Sequence, residues 1–403
     1  MAALGLGASS RAVAADAPDL AAIMRLTANY WIESESDGFL PYGYDFLADK
    51  PLEPERMSAP NLVRQAATAF AVARYYEFSK DDRLRAPLHR ALSALVAKSI
   101  PVGKGKLQRA LESTRILSLP VARWKLQTAL DRAGLLYQSS GSGLLPSANG
   151  DYVAAFAGGV ALTLLTELVY SSASGDESFA GARRAWLDGL LSLRIPGGGF
   201  RHTPILIDDT DYDNGEGWLA LAVYVDRHPD DPRAAAELAD LDSVLIARYT
   251  EAPTTAFFGW GAMSAAQRFA TTHDPKFLAY LKRQGELFIE RLAPKIQPED
   301  NNCAALEGVA AMLAVLVASN DLDSAPADEL QSWASGEIDK LPRLQIQPKQ
   351  EGMTLGGEAY LRTPQMASFA GGFVWSLYQP VTRVDAAGHC LSAMVTLQKA
   401  QLH

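Results

Sequence analysis

Residues 215–225 read GEGWLALAVYV, residues 226–233 DRHPDDPR and residues 234–249 AAAELADLDSVLIARY. An apolar helical run is followed by a polar turn and then by an amphipathic run. The periodicity predicts helices over Gly215–Val225 and Ala234–Tyr249, joined at His228-Pro229-Asp230-Asp231-Pro232. Asp231 stands where a carboxylate caps the second helix by accepting from its free backbone N–H groups. The unit is a helical hairpin.

It recurs along the chain. Asn61–Phe78 turns at Ser79-Lys80-Asp81-Asp82 into Arg83–Lys98, and Tyr152–Tyr170 turns at Ser174-Gly175-Asp176 into Phe179–Leu193. Trp260–Ala270 turns at His273-Asp274-Pro275 into Phe277–Leu292, and Ala304–Ala318 turns at Asn320-Asp321 into Ala327–Lys340. A less regular pair, Met366–Leu377 with Val384–Leu397, closes the series, and an amphipathic helix over Leu20–Glu33 precedes it. Most turns open with Asp, but their spacings are unequal, which separates this degenerate repeat from a strict solenoid. Ile205–Ile207 and Leu344–Ile346 are too short to build a sheet. Residues 100–118, with Lys104, Lys106 and Arg109, read as a basic excursion before a helix near Ala122–Leu136.

Each hairpin buries one face and needs neighbours. About six of them, side by side, can close into a ring with alternate helices inside and outside. The expected fold is therefore all-α, an (α/α)6 toroid. Apolar, small-residue helices such as Ala304–Ala318 suit the crowded interior, and charged ones such as Arg83–Lys98 suit the exterior. No Pro/Ser/Gly-rich linker divides the chain, so residues 19–403 read as one domain. Residues 1–18 read as a signal-like or disordered segment: Ala2–Ala8 is small and apolar, and Ala12-Val13-Ala14-Ala15 resembles a cleavage site, though no basic n-region precedes it. A periplasmic or secreted location is expected, with a cytoplasmic one as the alternative.

Of the 403 residues about half are hydrophobic (48%), enough for a large core, and the net charge of -9 offers no basic stripe for nucleic acid or an anionic membrane. No stretch is long and apolar enough to span a bilayer. Cys303 and Cys390 lack metal-site or C-x-x-C spacing and read first as buried free thiols, a disulfide being open to an exported chain.

If the inner helices are the first of each hairpin, they run in one direction and their N-termini share a rim, fed by the long connections. Function collects on such connections. The rim would hold Asn61, Arg64, Gln65, Asp151, Tyr152, Asp208, Asp209, Asp211, Tyr212, Asp213, Glu216, Trp260, Asp300, Asn301, Asn302, Glu307, Arg383, Asp385 and His389. Acidic, polar and aromatic groups meeting in a cavity suit a sugar, whose apolar faces stack on rings and whose hydroxyls need hydrogen bonds.

The motifs Asn61-Leu62-Val63-Arg64-Gln65, Tyr212-Asp213-Asn214-Gly215-Glu216, Leu306-Glu307-Gly308, Gly371-Gly372-Phe373 and Thr382-Arg383-Val384-Asp385, with His389, occur in an order that resembles bacterial six-hairpin glycosidase-like proteins. These include relatives of the D-glucuronyl C5-epimerase C-terminal domain. The resemblance covers most of residues 20–398. It implies the toroid fold and a choice among hydrolase, lyase, epimerase and inactive members. Related toroids are terpene cyclases. Asp208-Asp209-Thr210-Asp211 matches their acid motif only loosely, and QW repeats are missing.

The expected catalytic acids and bases are Asp209, Asp211, Asp213, Glu216, Glu307 and His389. The expected substrate contacts are Tyr42, Tyr44, Asn61, Arg64, Gln65, Tyr152, Tyr212, Trp260, Asn301, Arg383 and Asp385. Asp213 and Glu216 lie i, i+3 on one helix face, either as acid and base or as N-cap and capping box. Glu307, in an apolar helix, must be paired or hold its proton. Asp385 and His389 lie i, i+4, and His389 is a proton shuttle or a hydrogen-bonded core histidine. Arg64 grips a substrate carboxylate or pairs with a pocket acid. A calcium site in the Asp208–Glu216 cluster would lack an EF-hand loop, and neither metal nor cofactor is expected. Gly197-Gly198-Gly199-Phe200 follows a helix and reads as a turn. The chain has no G-x-S-x-G, H-E-x-x-H or Walker motif. The first reading is acid–base chemistry on an oligosaccharide or polysaccharide, hydrolysis before epimerisation or elimination. A non-catalytic glycan-binding or scaffolding toroid with a cell-envelope protein partner is the second, and a terpene-type cyclase the third.

Overall fold

A computed structural model describes residues 18–52, 57–103, 139–206, 208–322 and 326–402. The inner helices are α2 (Ala59–Ser79), α4 (Ala157–Ser174), α6 (Asp211–Arg227), α8 (Thr255–Thr272), α10 (Cys303–Ala318) and α12 (Val384–Lys399). Each packs on the next, and α12 packs on α2, so the ring is closed. The outer helices are α1 (Leu20–Ser34), α3 (Arg85–Ala97), α5 (Ala180–Ser192), α7 (Pro232–Tyr249), α9 (Pro275–Leu287) and α11 (Ala327–Leu344). Position follows composition. The whole of α4 from Ala157 to Ser171 is buried, whereas α11 buries one stripe carrying Leu330, Ala334 and Leu341.

The turns work as the sequence predicts. The Asp81 carboxylate accepts from Arg83 N–H, that of Asp231 from Arg233 and Ala234, and that of Asp274 from Lys276. Gly175 ends α4 at a φ of 69°, in the left-handed region that glycine enters without cost. The expected last hairpin is corrected. Residues Pro364–Phe369 form a short 3-10 turn, and Phe373, Val374 and Ser376 form single β-bridges to Gln345, Thr382 and Asp300. A helix cannot run through this stretch: Gly371 takes a φ of 94°, and a β-carbon there would lie 2.3 Å from the Leu26 carbonyl oxygen. The outer partner of α12 is instead α1, from the other end of the domain.

Tyr152–Tyr170 is also shorter as a helix than expected, since Tyr152–Ala154 is a separate 3-10 turn. Small sheets support the rim. β1 (Gly43–Asp45) lies between β2 (Lys50–Pro51) and β7 (Val381–Arg383), and β7 runs straight into α12. β3 (Ser99–Gly103) pairs with β4 (Ser139–Pro146), and β5 (Gly352–Leu355) with β6 (Ala359–Arg362). The helix expected near Ala122–Leu136, most of the basic excursion and residues 1–17 lie outside the described residues. Among the described residues no helix is long and apolar enough to cross a membrane.

The end of the ring away from the site is held by charge. Arg227 reaches the Leu168 carbonyl and Glu77, Lys399 also pairs with Glu77, and Arg183 lies 3.3 Å from Glu167. Cations at helix C-termini suit the macrodipole. Glu167 is fully buried, and burial pushes its carboxyl up to about 7, with Arg183 pulling the other way. Because its folded-state pKa lies above the unfolded value, the folded state holds the extra proton. Stability is therefore full below about pH 4.3 and falls as pH rises to about 7, by up to about 3.5 kcal/mol. Glu167→Gln is expected to flatten this slope and to be the more stable form near pH 8. Urea unfolding of both proteins at about pH 5 and about pH 8 checks it, and an unchanged slope would sink the assignment.

Candidate active site

The N-terminal turns of the inner helices surround a cavity of about 370 Å³. Arg64 enters it from α2, Tyr212, Asp213 and Glu216 from α6, Trp260 from α8, Asn301 and Glu307 from the start of α10, and Arg383, Asp385 and His389 from the start of α12. In a six-membered ring α6 and α12 are three places apart, so Glu216 faces His389 and Asp385 across the cavity.

Asp213 and Glu216 share a helix face and differ in condition. Thr210, not Asp213, is the N-cap of α6: its Oγ1 accepts from the Asp213 N–H at 3.2 Å. Asp213 then accepts from the Gly158 N–H (2.7 Å), from Thr210 Oγ1 (2.5 Å) and from His202 Nδ1 (2.6 Å). Glu216, freed from capping, is buried with no donor on its carboxyl among the described residues. Burial, and then the negative charge of Asp213, hold it well above the usual carboxylate range. It is an acid that keeps its proton.

The opposite wall carries a carboxylate–imidazole pair. Glu307 Oε2 accepts a hydrogen bond from His389 Nδ1–H at 2.5 Å, which turns Nε2 away from the pair. Burial alone would lower the His389 pKa. Glu307, with Asp385 behind it, outweighs burial and raises it. Beside this pair, Asp385 is gripped by Arg383 through both oxygens (2.5 and 2.8 Å) and by Arg64 Nε at 3.2 Å. Burial opposes its ionisation, but Arg383 and Arg64 hold its carboxyl below the usual range.

Glycine makes room for Glu216. A β-carbon at Gly158 would lie 1.8 Å from Glu216 Oε2 and 3.2 Å from Asp213 Oδ1, so those two oxygens are at most about 5 Å apart. Gly158→Ala is expected to displace the Glu216 side chain while the far-UV circular dichroism stays unchanged and, on the reading proposed below, to reduce turnover at least tenfold. Full activity in that variant would show that the Glu216 position does not matter.

Seven of the expected residues lie outside the cavity lining. Asp209 is bound by Arg248 and Asn214. Asp211 accepts from the Tyr249 hydroxyl at 2.6 Å. Asn61 accepts from Gln65, which also spans the Leu40 N–H and carbonyl. Tyr44 bonds Asp49 and packs on Phe46 and Phe369, Tyr152 donates to the Pro101 carbonyl, and Tyr42 stands behind Arg64, accepting from it. In each case local capping or packing has taken up the polar group. Conversely, the structure adds His202, whose ring lies tilted against Phe156 with centroids 4.1 Å apart, and Trp375, whose ring lies 4.3 Å from the Arg383 guanidinium.

Cys303 and Cys390 form a disulfide, correcting the expectation of free thiols. It joins the first residue of α10 to the second turn of α12, one turn before Glu307 and directly after His389. Among the described residues no group of His, Cys, Asp and Glu side chains is arranged to hold a metal ion.

No family model matches the sequence, and no curated protein matches it. Solved structures do. The unsaturated glucuronyl hydrolase specific for heparin aligns over 95% of this chain and 97% of its own, with a TM-score of 0.57 and 11% identity. The α-1,6-mannanase of Salegentibacter sp. HEL1_6 aligns over 95% and 100% (TM-score 0.59, 8% identity), and its inactive variant, altered at two consecutive aspartates, was solved with α-1,6-mannotetrose. The endoglucanase of the termite Nasutitermes takasagoensis aligns over 94% and 98% (TM-score 0.54, 12% identity). The chain thus has the (α/α)6 toroid of the six-hairpin glycosidases over nearly its whole length.

Proposed function

We propose that the protein is a carbohydrate-active enzyme of the periplasm or the cell exterior that performs acid–base chemistry on an oligosaccharide or polysaccharide, glycoside hydrolysis in the first place. The observation that carries this is a buried acid without a hydrogen-bond donor, Glu216, facing the Glu307–His389 pair across one cavity. Trp260, Trp375 and Tyr212 supply the aromatic faces a sugar stacks on. The disulfide supports an oxidising compartment.

In this reading Glu216 gives its proton to the glycosidic oxygen as the C–O bond breaks. A water adds to the anomeric carbon and loses its proton to His389 Nε2, while Glu307 stabilises the imidazolium. Asp213 and Asp385 are already engaged, the one by three hydrogen-bond donors and the other by two guanidinium groups. An acid and a base on opposite walls with water between them is the inverting arrangement. Activity should follow a bell in pH, lost on the acid side as His389 is protonated and on the alkaline side as Glu216 ionises.

The test is product formation and binding by the purified protein on α-1,6-manno-oligosaccharides, cello-oligosaccharides and hexuronate-containing oligosaccharides, beside Glu216→Gln and Glu307→Gln. New reducing ends with wild type, lost in the variants, are expected. Products without new reducing ends would move the chemistry to epimerisation or elimination at the same groups. Binding without product, equal in all three proteins, would replace the enzyme by a glycan-binding toroid.

A further inference from the structure

Most large apolar side chains of the described residues are buried, and the exposed exceptions are unevenly placed. Besides Leu47 and Phe78 they are Tyr212, Trp375, Tyr378 and Tyr360. Tyr212 and Trp375 line the cavity. Tyr378 lies three residues beyond Trp375 and packs on Gly356, in the turn between β5 and β6; a β-carbon there would lie 2.0 Å from the Tyr378 ring. Tyr360 stands on β6, paired with Thr354, and its ring lies against Gly352.

The ledge that carries these rings is pinned. Trp375 N–H donates to the Val381 carbonyl at 2.7 Å, Leu377 N–H to the Glu299 carbonyl at 3.1 Å, and Gly356 N–H to the Leu377 carbonyl at 3.1 Å. Ser376 bridges Asp300. Arg383 covers one face of Trp375. Tyr378 is 56% exposed and Tyr360 66%, although both sit on hydrogen-bonded backbone, Tyr378 N–H donating to Ser376 Oγ and Tyr360 lying in the β5–β6 pair. Rigid, exposed rings leading away from a cavity mouth lose little entropy on stacking, which suits the apolar faces of successive sugar rings.

We infer that the substrate is a glycan chain longer than the cavity, and that Tyr378 and Tyr360 form an outer subsite for its distal sugars, continuous with the cavity through Trp375. This rests on the reading of the cavity as a glycan site. The occupant is the same chain whose scissile or modified residue lies against Glu216, so the subsite should act on affinity for long chains and leave the chemical step alone.

The experiment compares wild type, Tyr378→Ala, Tyr360→Ala and the double variant on disaccharide to octasaccharide ladders of the three oligosaccharide classes above. With wild type, KM should fall as the chain lengthens. Each single variant should raise KM for the longest chains about three- to tenfold, with kcat unchanged and the disaccharide constants unchanged. Tyr378→Phe should retain wild-type KM, separating the ring from the hydroxyl. Wild-type turnover with KM independent of length, or variants equal to wild type on every length, would overturn the outer subsite and leave the cavity assignment standing. Neither turnover nor binding of any ladder by wild type would overturn both.

Discussion

Glu216→Gln is expected to reduce turnover about 10²- to 10⁴-fold, the usual contribution of a positioned general acid. The amide matches the carboxyl in shape, so the space left by Gly158 is filled as before and the fold should hold. What is lost is the proton. Burial and Asp213 keep that proton on Glu216 at a pH where an ordinary glutamic acid has released it. The alkaline limb of the pH profile should therefore disappear in the variant, leaving only the limb set by His389. Turnover on sugars with a very acidic leaving group, which needs no protonation, should be the least affected. Residual activity within threefold of wild type, with the alkaline limb intact, would assign the acid elsewhere.

Replacing Cys303 and Cys390 together by serine is expected to lower the unfolding free energy by about 4 kcal/mol. The residues are 87 apart in sequence, and closing a loop of that size in the unfolded chain accounts for roughly 4.5 kcal/mol in the loop-entropy treatment, with measured losses commonly about 2–5. The bond also ties the start of α10 to the second turn of α12, the helices that carry Glu307 and His389. Reduction should consequently cost activity before it costs helicity. Denaturant unfolding of wild type with and without reductant, beside the double serine variant, measures the first effect. Activity in mild reductant measures the second. A variant as stable as the oxidised wild type would show that the bridge adds nothing.

The toroid was legible because its signals are local. Asp at the turns, apolar runs such as Ala304–Ala318 and amphipathic runs such as Ala234–Tyr249 each speak for themselves, and one direction for the inner helices then puts their N-termini on one rim. The cavity residues Asp213, Glu216 and Glu307 follow from that rule, whereas Asp385 and His389 lie on α12, which was expected as the second helix of its pair and is an inner helix with α1 as its outer partner. The residues that were missed arrive by another route. His202 comes from the connection between α5 and α6 and is fixed by Asp213 and Phe156. Trp375 comes from a stretch held only by bridges to distant residues. Nothing within a few residues of either marks its position. Asp209 and Asp211 show the converse error. They stand beside Asp213 in sequence, but only Asp213 and Glu216 share the helix face that meets the cavity. Arg248 and Tyr249, on the outer helix α7, claim the other two. The pairing of α12 with α1 lay beyond any window of the sequence, since it joins opposite ends of the domain.

That pairing closes the site. Every other inner helix precedes α12 in the chain, so without α12 docked the wall opposite Glu216 is missing. An arc of five inner helices has an open flank, and neither the imidazole nor the second half-cystine is in register. Proton donor and acceptor first meet when the ring shuts. On the proposed reading, activity then reports the closed ring, and a chain without α12 in place, however helical, is expected to leave glycans untouched.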